Sequence, residues 1–185
     1  MFSRTAKTLL ITWLAASTLL FNIAVAKPAP AVSQAQKPFN FPAAVGPFRR
    51  AQVHNFTREG LDRSASYVST TGLMSAYVYP VRPPYAPTLP AHFAQIDKDI
   101  HTLWKDVRVV SKNSTSVTRN GRTYPGMEET LTARDATRNS EVVSRAALFS
   151  LGDRYLAFRF TAPKQAGFEA AAQMRLFLDR FPWPQ

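Results

Sequence analysis

The chain has 185 residues, 45% hydrophobic, 12% aromatic and 19% charged, with 23 Lys+Arg against 12 Asp+Glu for a net charge of +11. It is too apolar for a disordered polymer and too short for two full domains. The absence of cysteine excludes a disulfide scaffold, a thiol nucleophile, a lipid-modified cysteine and any Cys-ligated zinc or iron–sulfur centre.

Residues 1–26 have the three parts of a cleavable secretory signal. Arg4 and Lys7 form a positive start, 9–21 is an apolar run, and Ala24-Val25-Ala26 is a small-x-small cleavage site before Lys27. The apolar run is short for a membrane span of about 20 residues. Cleavage removes two basic residues and no acid, so the mature chain has 21 Lys+Arg against 12 Asp+Glu, or +9. The expectation is an exported protein of a Gram-negative periplasm, or one secreted beyond the cell, with no transmembrane segment after cleavage. Nucleic acid is not an expected partner there. An envelope protein or an anionic envelope component such as lipid or lipopolysaccharide is.

Residues 27–47 carry Pro28, Pro30, Pro38, Pro42 and Pro47 and read as an extended lead-in outside any sheet ladder. Phe39, Phe41 and Phe48 are candidate anchors for its end. A single domain is expected over 48–185. Strands are predicted at 49–56, 64–69 and 73–79, followed by a Pro-rich connection from Pro80 to Pro90. Residues 91–106 form an amphipathic helix on the spacing of Phe93, Ile96, Ile100, Leu103 and Val107, with Trp104 widening the stripe and Asp97 placed mostly on the polar side.

The second half turns back to strands. Short ones are predicted at 107–111, 116–119 and 122–124, the last two joined by Asn120-Gly121, the strongest short hairpin signal. Pro125-Gly126 interrupts, 127–133 resumes, and 141–150 and 154–161 follow. In the last strand Leu156, Phe158 and Phe160 should face the core. A helix over 165–181 is predicted from Phe168, Ala171, Ala172, Arg175 and Leu178, with Met174, Phe177 and Phe181 close by. The fold class is α+β: an antiparallel sheet of about six to seven strands with two helices packed on it.

The chemistry inventory is thin. His92 and His101 are nine residues apart on one helix and point to opposite sides, so they form no metal pair. His101 and Asp97 share a face, which reads as an exposed ion pair before a general-base pair. Glu128 and Glu129 are adjacent in a strand and point to opposite faces, so alone they form no dyad. Nucleophile-elbow, P-loop and dinucleotide motifs are missing, and no cofactor is implied. Tyr77, Tyr79, Arg122 and Tyr124 are the candidate binding surface, as an aromatic groove flanked by a basic residue. Arg119, Arg154 and Arg159 on the same hairpins are candidates for a basic patch.

Two segments carry a family resemblance. Asn120-Gly121-Arg122-Thr123-Tyr124-Pro125-Gly126 leads into the 127–133 strand, and Arg154-Tyr155-Leu156-Ala157-Phe158-Arg159-Phe160-Thr161-Ala162-Pro163 precedes a terminal helix. Together with the element order they resemble the PsbP/DcrB-like fold group. That resemblance implies a non-enzymatic, exported or lumenal accessory protein, and it transfers no functional residue. The functional expectation is an exported, non-catalytic accessory or binding protein. The alternatives are a binder of a small ligand or anionic envelope component, and an unrecognised hydrolase.

Overall fold

The computed structural model describes residues 38–165 and 169–183. The secretory signal over 1–26, residues 27–37 of the lead-in and the predicted helical anchor Phe168 lie outside the described residues. Among the described residues eight strands run in chain order: β1 (Ala44–Val45), β2 (Phe48–Asn55), β3 (Arg63–Val68), β4 (Leu73–Pro80), β5 (Lys105–Arg119), β6 (Arg122–Asp135), β7 (Ser140–Ser150) and β8 (Arg154–Pro163). Helix α1 (Leu89–Leu103) precedes β5, and α2 (Ala170–Arg180) follows β8. The sheet order is β1-β2-β3-β4-β8-β7-β6-β5, with every neighbouring pair antiparallel. The α+β class holds, with one strand more than the upper expectation.

The additional strand comes from the Pro-rich segment. Ala44 and Val45 pair with Arg49 and Phe48, and Phe41 and Val45 are buried. Proline lacks an N–H, but its carbonyl can still accept. Tyr67 donates to the Pro42 carbonyl (3.2 Å), Arg63 to the Phe39 carbonyl (2.6 Å) and Arg50 to the Phe41 carbonyl. Phe39 stacks on Phe181 at 5.4 Å between ring centroids. Ordered packing therefore begins before Phe48, and Phe39 and Phe41 anchor it as expected.

Two predicted breaks are absent. The polar stretch Lys112 to Thr115 continues as β5, where no residue is buried and no apolar alternation marks the strand. Pro125 continues β6, because β6 pairs with β7 only from Gly126 onward, so no β7 partner awaits the missing N–H. Gly126 is required by packing: a Cβ there would lie 2.5 Å from the Phe149 ring.

The two helices cover opposite faces of the sheet. Leu156, Phe158 and Phe160 of β8 meet Met174, Phe177 and Leu178 of α2. Tyr155 and Ala157, on the other side of the same strand, meet Phe93 and Ile96 of α1. β8 is thus buried on both faces, beyond the one-sided pattern expected from its alternation. On the α2 face, Phe177 makes ring contacts with Phe48, Tyr67, Phe158 and Phe181 at 5.2–5.8 Å. The buried stripe of α2 is Ala170, Met174, Phe177 and Leu178, whereas Ala172 and Arg175 are exposed. In α1, Phe93 and Ile100 are buried as predicted, whereas Leu103 is exposed; Val107 lies in β5, in keeping with the strand expected from that residue onward.

Candidate functional site

On the α1 face a cluster of charged groups is closed over by the helix. Asp97 follows Phe93 by one four-residue step, which returns it to the apolar stripe and down toward the sheet. There Lys112 of β5 donates to its carboxylate at 2.6 Å, and His101 lies 3.3 Å from the same carboxylate. Lys112 is also 3.7 Å from Glu129 of β6 and lies over the Phe93 ring. Glu129 is 1% exposed, with Asp97 and Lys112 as the polar groups that face its carboxyl. Burial and the neighbouring Asp97 charge push its pKa up to about 7 against the opposing pull of Lys112. Behind it, Arg159 of β8 donates to the Ser144 hydroxyl at 3.1 Å and stacks on Trp104. Desolvation brings the Arg159 guanidinium down to about 10. Tyr77 lies beside it, its phenol raised by burial.

The cluster holds a proton near neutrality, as an acid–base residue would. Its key carboxyl is nonetheless buried between sheet and helix. Sequence reasoning separated Glu128 from Glu129 correctly, but placed Asp97 on the polar side and missed the Asp97–Glu129 pairing. The four-residue spacing from Phe93 was the available signal.

The same face carries an aromatic box. Tyr79, Tyr85, His92 and Tyr155 have neighbouring ring centroids 4.5–5.9 Å apart. His92 Nδ1 is 2.9 Å from the Gln95 side-chain oxygen and so carries the proton, leaving Nε2 to accept from the Tyr79 hydroxyl at 2.8 Å. Burial lowers the His92 pKa, in keeping with a neutral ring. Tyr85 donates to Asp62 and Tyr155 to the Ala86 carbonyl, which fastens the Pro-rich connection to the sheet.

The candidate surface read from the sequence does not form one surface. Tyr77 and Tyr79 lie under α1. Tyr124 is 3% exposed on the opposite face, stacked on Trp183 at 5.3 Å, with Arg122 over its ring. Arg122 also donates to the Leu151 carbonyl. Strand register separates these residues, and tyrosine's affinity for sheets does not reveal which face is covered. The proposed basic patch divides likewise: Arg159 lies inside the α1 face, Arg119 lies on the α2 face, and Arg154 pairs with Asp153.

Beyond α2, the sheet leaves a groove of about 330 Å³ between β5 and the flank of the helix. β5 contributes Thr115 to Arg119, β6 and β7 contribute Glu128 and Arg145, and α2 contributes Met174, Arg175 and Asp179 among others. Arg145 bridges to Glu128 at 2.6 Å and donates to the Thr130 hydroxyl at 2.6 Å. Arg119 bridges to Asp179 at 2.6 Å and donates to the Thr118 and Leu178 carbonyls. The Nε atoms of Arg119 and Arg145 are buried without hydrogen-bond partners. Three guanidiniums thus face two carboxylates in one groove. Sequence reasoning named Arg119 only for a patch and did not find Arg145 or Arg175, which join it only through tertiary structure.

Among the described residues, no three His, Cys, Asp or Glu side chains are grouped to hold a metal ion, and no helix is long and apolar enough to cross a membrane. No family model and no curated protein matches the sequence. The fold is similar to a Pseudomonas aeruginosa protein of unknown function, PA94, described as a putative regulator (TM-score 0.47, 7% identity, 75% of this chain and 99% of that one). It is also similar to the cyanobacterial PsbP, CyanoP, of Synechocystis sp. PCC 6803 (TM-score 0.46, 11% identity, 74% of this chain and 81% of that one). The resemblance to PsbP is one of fold.

Proposed function

We propose that this is an exported, non-catalytic binding protein of the bacterial envelope, acting in the periplasm through the charged groove between β5 and α2. One observation carries this reading: the carboxyl raised to about 7 is buried under α1, whereas an open groove of charged and hydroxyl side chains lies on the α2 face. The group best tuned for proton transfer, Glu129, is sealed under α1. The open groove on the other face has guanidiniums, hydroxyls and carboxylates, which suit recognition. The surplus positive charge of the groove and of the whole chain favours an acidic partner.

The test is in-cell photo-cross-linking of the exported chain. A photoreactive residue at Arg175, on the groove rim, is expected to give a discrete adduct. The same residue at Asp99, on the exposed side of α1, is expected to give none. Adducts from position 99 alone would reject the groove.

The alternative reading, a binder of a small ligand or of an anionic envelope component, draws on the same three arginines. It predicts that the adduct at 175 is competed away by millimolar inorganic phosphate or by lipopolysaccharide.

A further inference from the structure

β5 is an open sheet edge. It spans 15 residues, none of them buried, and among the described residues only β6 pairs with it. Proteins usually protect such an edge with charge, proline or bulges. Here the protection is concentrated at one end. Lys105, Asp106, Arg108 and Lys112 lie in the first half, and both irregularities, at Lys105/Arg108 and Val109/Ser111, fall there too. Residues 113–118, Asn-Ser-Thr-Ser-Val-Thr, have no charge, no proline and no bulge. Thr115 to Thr118 of this unprotected run form the wall of the groove.

The backbone direction follows from the turn. Asn120 and Gly121 have φ of 53° and 75°, a two-residue hairpin turn that makes Arg119 and Arg122 the hydrogen-bonded closing pair. Antiparallel alternation then makes 118/123, 116/125 and 114/127 non-hydrogen-bonded pairs. The Thr118 and Thr123 hydroxyls meet at 2.9 Å, as the closer spacing of such a pair allows. The N–H and C=O groups of Ser114, Ser116 and Thr118 therefore point away from the sheet. One outward acceptor, the Thr118 carbonyl, is already taken by Arg119 Nη1 at 2.9 Å.

Resting on the groove reading above, we infer that residues 113–118 accept an extended acidic segment of a partner protein as a ninth strand. Its backbone pairs with Ser114 and Ser116, and its alternate side chains enter the groove. Displacing Arg119 from the Thr118 carbonyl frees a guanidinium N–H, which together with Arg175 receives a carboxylate of the incoming strand. A second copy of this chain is the poorer occupant, because from residue 27 onward each copy carries 21 Lys+Arg against 12 Asp+Glu, or +9.

The probe is a fluorescein-labelled octapeptide of alternating Thr and Val with two Asp, titrated against the chain starting at residue 27. Saturable binding is expected. It should weaken about tenfold or more in Ser116→Pro, which removes an outward N–H without touching β6, and about threefold to tenfold in Arg175→Gln. Methylating the peptide amides that face β5 should abolish binding, whereas methylating the alternate amides should not. That arm requires no protein variant to fold. The Lys counterpart of the peptide should not bind. Absence of peptide binding, or binding to phosphatidylglycerol vesicles that Ser116→Pro leaves unchanged, overturns the inference. Binding lost in Thr115→Trp but indifferent to Ser116→Pro and to methylation removes the added strand and leaves the groove. Indifference to all three removes both.

Discussion

The two faces of this sheet are built on different physics. The α2 face is an aromatic core: Phe48, Tyr67, Phe158, Phe160, Phe177, Phe181 and Trp183 interlock, and their polar handles are few and satisfied. The α1 face is smaller and mixes apolar contacts with Asp97, Lys112, Glu129, Arg159 and a tyrosine–histidine box. Apolar burial is strong and indifferent to pH, whereas a buried carboxyl makes stability follow its protonation. The α2 face should therefore dominate stability and the α1 face should set its pH dependence. Among the described residues the aromatic cluster meets β5 only through Val117, and the groove opens beside that contact. Strength and accessibility sit side by side on one face, and titration sits on the other.

The largest test of this contrast is Phe177→Ala. It empties the centre of the aromatic cluster and should cost about 3–5 kcal/mol in urea denaturation, equally at pH 5 and pH 8. A pH-dependent loss would mean that the two faces are not separable.

Next in size is the pH response of Glu129. Its carboxyl titrates at about 7 in the folded chain and near 4.5 in the unfolded one. The folded state thus holds a proton that the unfolded state has released. The favourable contribution is complete below pH 4.5 and is lost as pH rises through 7, by about 1–3 kcal/mol. Glu129→Gln should flatten that slope and be the more stable protein at pH 8. An unchanged slope would assign the pH dependence elsewhere.

Gly126→Ala drives a methyl into the Phe149 ring, and about 1–3 kcal/mol of destabilisation is expected from equilibrium unfolding. The smallest effect belongs to the groove rim. Asp179→Asn breaks an exposed ion pair with Arg119 and should change stability by less than about 0.5 kcal/mol. It should nonetheless strengthen binding of an acidic peptide by releasing Arg119. A stability loss above 1 kcal/mol would make Asp179 a structural residue.

The elements were largely legible in the sequence because periodicity and turns report local structure. The Asn120-Gly121 hairpin, the α1 stripe through Phe93 and Ile100, and the inward set Leu156, Phe158 and Phe160 are all visible in local pattern. β1 was hidden because Pro42 and Pro47 flank a two-residue ladder that only tertiary anchoring sustains. The joining of β5 into one strand was hidden because an edge strand carries no apolar alternation. The candidate site was much less legible. Tyr77, Tyr79 and Tyr124 look alike in sequence, and only the placement of α1 and α2 decides that they are buried on opposite sides. Arg119, Arg145 and Arg175 are far apart in sequence, and the groove exists only once α2 is laid beside β5. Residue type signals chemistry, but which face a helix covers is a property of the whole sheet.

The most direct test of this division of labour is a pair of variants in the cross-linking assay with the photoreactive residue at position 175. Thr115→Trp fills the groove and should abolish the adduct while the chain stays folded. Glu129→Gln alters the sealed cluster and should leave the adduct at its original yield. An adduct that survives Thr115→Trp and disappears with Glu129→Gln would contradict the account and place function under α1.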